Sequence, residues 1–163
     1  MKYFLYTTLL LGLVLLGVVY VLPILQRPGA DALVEKALTA TDEREQVRAA
    51  RDLVALGNTA QSGLRQLMSD STNESVVSVA IAGAAELYDY DSMDLIIDKL
   101  DDPSLEVRTA AGKATTGLLG RDHHFPAGGS EVERARIKAQ IEEDWQSYNG
   151  SELFEFNRNR LGN

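Results

Sequence analysis

The stretch Val47-Arg48-Ala49-Ala50-Arg51-Asp52-Leu53-Val54-Ala55-Leu56-Gly57 returns 60 residues later as Val107-Arg108-Thr109-Ala110-Ala111-Gly112-Lys113-Ala114-Thr115-Thr116-Gly117. Midway, Val77, Ala80, Ala84 and Leu87 stand in register with Val47, Ala50, Val54 and Gly57, so one period of 30 residues runs through the centre of the chain. A period of that length marks stacked supersecondary units, each too small to bury its apolar face alone. Within each copy the apolar residues recur at i, i+3, i+7 and i+10, the spacing that lines one face of an α-helix.

Start and stop residues agree with helices. Asp42 precedes Glu43 to Gln46, Thr72 and Asn73 precede Glu74, and Asp102-Pro103-Ser104 precedes Glu106. Short polar side chains there accept from the free N–H groups of a first turn, and proline has no N–H to lose. Gly57 and Gly117 are the expected ends of two of these helices. A further helical run precedes each copy: Leu33 to Leu38, Leu64 to Met68, and Met93 to Leu100. The unit is therefore a hairpin of two short helices, and three hairpins fill about residues 30–120. Alanine and glycine crowd the second helices (Ala49, Ala50, Ala80, Gly83, Ala84, Ala111, Gly112), which permits close approach of neighbours.

The segment Asp102-Pro103-Ser104-Leu105-Glu106-Val107-Arg108-Thr109-Ala110-Ala111-Gly112-Lys113-Ala114 resembles the second half of a HEAT repeat, in the short bacterial-type form of about 30 residues. Asp42 with Val47-Arg48-Ala49-Ala50 matches the same pattern, whereas the central unit departs from it, with Ser78 in place of the arginine. The resemblance covers about residues 30–120 and implies an all-α fold, an α-solenoid of about three hairpins that serves as a binding scaffold. It also implies that Asp42, Arg48, Asp102 and Arg108 form a structural ladder between repeats. The other reading of the arginines places them in a concave groove that holds an acidic ligand. HEAT-like repeats occur in bilin lyases too, so pigment attachment is the alternative activity implied, although nothing here matches a catalytic motif.

Residues 3–25 carry no charged side chain, and 23 residues of helix span about 34 Å against a hydrocarbon core of about 30 Å. Tyr3, Tyr6 and Tyr20 lie near the ends, as interfacial aromatic rings do. The rival reading is a cleaved signal peptide with Ala30-Asp31-Ala32 as its site, giving a secreted binding protein; the apolar run is longer than such a core, which favours an uncleaved single-pass anchor. Lys2 and the amino terminus are expected to stay inside, leaving the repeats extracytoplasmic. The expected organisation is an anchor at 1–28, repeats at 29–120, a loop and capping helix at 121–149, and a tail at 150–163.

The chain has 16 basic and 24 acidic residues, and without Lys2 and Arg27 the remainder is near −10. That balance excludes nucleic acid and anionic lipid surfaces as the expected partner. Glu86, Asp89, Asp91, Asp94, Asp98, Asp101, Asp102 and Glu106 form an acidic cluster in which Lys99 is the one basic residue. Some of these carboxylates favour helix starts, while Asp94 and Asp98 at i, i+4 suggest a solvated ridge, the candidate acidic binding surface. Residues 89–100 begin like a calcium loop but lack the turn glycine and end on Leu100, which excludes an EF-hand.

Beyond residue 120, Ser130 and Glu133 have capping-box spacing, and Val132, Ile137, Ile141, Trp145 and Tyr148 are the expected apolar stripe of a helix that covers the end of the repeats. His123 and His124 are adjacent and lack a third ligand, so no metal and no cofactor is expected. Leu153, Phe154 and Phe156 are expected to dock on the repeats or on a partner, or else to be disordered. Arg65 reads as a surface residue whose loss matters little. With no cysteine, nucleophile elbow or phosphate loop in the sequence, the expectation is a non-enzymatic scaffold for a protein partner, tethered to the bilayer by residues 3–25.

Overall fold

Polar residues at the expected positions start the helices. In the computed structural model, which describes residues 28–161, Asp42 accepts from Arg44 N, Asn73 from Ser75 N and Val76 N, and Ser104 from Val107 N. Eight α-helices follow in order among the described residues, with no strand: α1 (Ala30–Thr39), α2 (Glu43–Val54), α3 (Gln61–Asp70), α4 (Glu74–Glu86), α5 (Met93–Asp98), α6 (Leu105–Leu119), α7 (Glu131–Tyr148) and α8 (Glu152–Leu161). The fold is all-α. The expected membrane-crossing stretch 3–25 lies outside the described residues, and none of the described helices is long and apolar enough to cross a membrane.

Sequential helices pair, α1 on α2 and α3 on α4, while α5 and the 3₁₀ turn Lys99–Asp101 lie against α6. Second helices also touch in series, α2 on α4 and α4 on α6. The middle helix is buried on both sides, with Val76, Val77, Ser78, Ala80, Ile81, Gly83 and Ala84 all enclosed. Small residues make this possible. A Cβ on Gly83 would overlap Val54 Cγ2, and one on Gly63 would lie 2.7 Å from Val34 Cγ2. Leu53, Leu64, Leu67, Met68, Ile81, Met93, Ile96 and Leu100 fill the space between the helices and are fully buried.

Hydrogen bonds between the starts of successive second helices add to this packing. Asn73 Nδ2 donates to Gln46 Oε1 at 2.8 Å, and Ser104 Oγ donates to Glu74 Oε2 at 2.6 Å. The residue that caps one helix thus also ties it to the first turns of the helix before. This replaces the expected aspartate–arginine ladder. Asp42 is spent on its own helix start, and Arg108 binds carbonyl oxygens: Nη1 to Asp102 O at 2.7 Å and Pro103 O at 2.8 Å, Nε to Ala127 O at 2.8 Å. Arg48 is exposed.

Two other expectations change, and a third, for the tail, is narrowed to one of its alternatives. Gly117 lies inside α6, which ends instead at Gly120, whose φ of 66° is left-handed backbone that favours glycine. Val132 is 79% exposed and leaves the apolar stripe of α7, which buries Ile137, Ile141 and Trp145. The tail folds as α8 and docks on the rest through Phe154, while Leu153 and Phe156 remain exposed. The capping box of α7 forms as expected, and the Ser130 N–H and hydroxyl hold Glu133 below the usual carboxylate range.

Two substitutions test the close approach of the second helices. Gly83→Val should cost about 2 kcal/mol by overpacking, and Val107→Asp about 3 kcal/mol or more because its charge has no partner in the seam. Denaturant unfolding followed by circular dichroism checks both; an unchanged midpoint for either removes the packing account.

Candidate functional site

Five of the eight clustered acids are engaged within the fold. Asp91 pairs with Arg158 at 3.1 Å, Asp101 with Lys138 at 2.6 Å, and Asp94 Oδ1 accepts from Trp145 Nε1 at 2.8 Å. Asp102 lies 3.6 Å from Lys99 Nζ and also accepts from Ser104 N. Asp89 is buried and pairs with Arg65 at 2.5 Å. Glu86 and Asp98 stand exposed, and Glu106 receives a long contact of 3.5 Å from Ser75 Oγ. Four basic groups, in place of Lys99 alone, therefore oppose the cluster, and it is not one free ridge.

The Asp94–Trp145 bond belongs to an aromatic assembly in which Phe154 is central. Its ring lies 5.4 Å from Tyr90, 5.5 Å from Tyr148 and 5.7 Å from Trp145, each edge to face. Such contacts add to the area that these rings bury. Burial first, then the hydrogen bond with Tyr148, pushes the Tyr90 phenol well above its ordinary pKa, so it stays neutral. These residues hold α7 and α8 to the end of the fold at α5.

Arg65 is no ordinary surface residue. Its partner Asp89 is 2% exposed, and Asp89 Oδ2 has no hydrogen-bond partner. Burial pushes the Asp89 carboxyl above its ordinary 3.8, opposed mainly by the charge and hydrogen bond of Arg65. His123 is similarly enclosed: its Nε2 lies 2.8 Å from Asp144 Oδ2, the oxygen that Arg121 Nη1 meets at 2.6 Å. No group of three or more His, Asp or Glu is placed to hold a metal ion among the described residues.

The open face lies on the second helices. Between α4 and α6 runs a furrow of 620 Å³, whose walls include Ser78, Ala82, Ala85, Ala110 and Lys113. Beside it, between α2 and α4, a second furrow of 590 Å³ is lined by Arg44, Val47, Arg48, Arg51, Ser75 and Val79. Glu106 borders both. One wall is mostly apolar and the other presents guanidinium groups, so the face suits a ligand with both characters. Of the ladder candidates, only Arg48 reaches this face; Arg44 and Arg51 were not singled out in the sequence, although their i, i+4, i+7 spacing with Arg48 was the available signal. Comparison of the chain with protein-family models, curated proteins and solved structures finds no match.

The buried pair generates a prediction with a definite sign. The Asp89 carboxyl holds its proton more tightly folded than unfolded, so acidification favours the fold at this site and the gain is lost as pH rises through the folded value. Arg65→Ala removes the charge that opposes this shift and should cost about 2 kcal/mol at pH 7. The deficit should shrink at a second, acidic pH, because a stranded carboxyl with a raised pKa takes up its proton more readily there. Urea unfolding at the two pH values measures it; an equal deficit at both rules out a stranded carboxylate.

Proposed function

We propose that the chain is a membrane-tethered α-solenoid of three HEAT-like hairpins, and that it works as a non-enzymatic scaffold for a protein partner. The observation that carries this reading is the pair of adjacent furrows along α2, α4 and α6, built from repeated positions of the 30-residue period. Hairpin pairing of α1 with α2 and of α3 with α4, and the serial contacts of α2, α4 and α6, support the stacked-repeat reading. On this reading α7 and α8 cover the last unit and keep its apolar edge from water. The uncharged run at 3–25 supports the tether, which confines the binding face near a bilayer and raises the effective concentration of any membrane-linked partner.

The sequence has no cysteine, so single cysteines make unique handles. A photo-crosslinker on Ala82→Cys, in the α4–α6 furrow, should give a discrete protein adduct in native membranes, whereas one on Gln140→Cys, exposed on α7, should not. Equal labelling from both positions would count against this face. The full chain should also stay with the membrane pellet through alkaline carbonate extraction; release into the supernatant would remove the tether.

A further inference from the structure

Arg44, Arg48 and Arg51 put three guanidinium groups in a row on one face of α2. All three are exposed, and none of their side chains has a hydrogen-bond or ion-pair partner among the described residues. Other basic groups are committed: Arg65, Lys99, Arg121, Lys138 and Arg158 each hold a carboxylate. The chain as a whole is at −8 and Glu43, Glu45 and Asp52 flank the row on α2, so its basic character is confined to one face of that helix.

Building on the proposed binding role of this face, we infer that its furrows hold an extended acidic peptide segment of the partner protein. Carboxylates lie along α2 and small apolar side chains lie over α4 and α6. From Arg44 to Arg51 the helix rises about 10 Å, the length of about three extended residues. A compact anion calls for converging groups, whereas a row spread along a helix axis suits a chain with acids on alternate residues. The crest of α4 that separates the furrows carries Ser75, Ser78, Val79 and Ala82. These are short enough for a ligand to cross from one furrow to the other. Ser78 Oγ has no partner in the wall of the α4–α6 furrow, and Glu106, which borders both, offers an acceptor to peptide N–H groups. Glu43 and Glu106 also set a limit, since they repel an acid placed at the ends of the row. The row lines a furrow and does not stand on a flat surface, which favours a peptide over an anionic bilayer, although Arg44 and Arg48 also border a hollow beside Pro28.

The test uses the full chain in zwitterionic nanodiscs and the anisotropy of a fluorescent peptide with aspartate on alternate residues followed by Leu-Ala-Ala. Binding should weaken with salt and fall about tenfold or more in the double variant Arg48→Glu/Arg51→Glu. Ala82→Trp, which fills the apolar furrow from an exposed position, should weaken it separately. A matched peptide with lysine for aspartate should not bind. Thermal unfolding should be unchanged in these variants. Absence of peptide binding, or binding indifferent to charge reversal, overturns the inference. So does recruitment of phosphatidylglycerol vesicles that the reversal abolishes while the peptide stays unbound. If the adduct at position 82 persists in the charge-reversed chain, the binding role of the face stands and the acidic occupant falls.

Discussion

The packing of the hairpins depends on a helix that is enclosed on two sides. α4 lies between α2 and α6, and its small side chains let both approach it closely. Gly83 meets Val54 and Leu64 with no room for a Cβ, and Ala80 and Ala84 are fully buried. Close approach of two helices on either side of a third is favourable only when no bulky side chain intervenes. A different set of short side chains, Ser75, Ser78 and Ala82, keeps the crest of α4 low between the two furrows.

Charge is partitioned along the molecule. At the α5 end, carboxylates are used internally: Asp91, Asp94 and Asp101 hold Arg158, Trp145 and Lys138 and thereby secure α7 and α8. Exposed pairs of this kind contribute little individually, but they orient elements whose main attachment is the aromatic assembly around Phe154. At the α2 end the arginine row is left unpaired. The two ends thus differ in how their charges are used, although exposed acids such as Glu86 and Asp98 remain elsewhere on the surface.

The hairpins were legible in the sequence because their signals are local: apolar spacing within one helix, and a capping side chain next to its own first turn, as at Asp42, Asn73 and Ser104. What escaped was set by distance along the chain. Arg65 and Asp89 are 24 residues apart, Asp94 and Trp145 are 51 apart, and neither separation leaves a periodic trace. Arg108 looked like a ladder residue, but the loop that follows α6 brings Ala127 O to it, and loop geometry is not encoded in helical periodicity. Gly117 and Gly120 were indistinguishable as helix ends without backbone angles; only Gly120 has positive φ. The arginine row is legible in the i, i+4, i+7 spacing of Arg44, Arg48 and Arg51, a signal that no one of these residues carries alone.

The two-sided enclosure of α4 is tested most directly by native-state amide hydrogen exchange on the full chain. Backbone hydrogen bonds inside α4 should open only with global unfolding, so its amides should be the slowest, with α1 and α8 exchanging through local fraying. Exchange in α4 as fast as in α1, with α6 protected independently, would contradict the account, because the helices would then be held by something other than their shared centre.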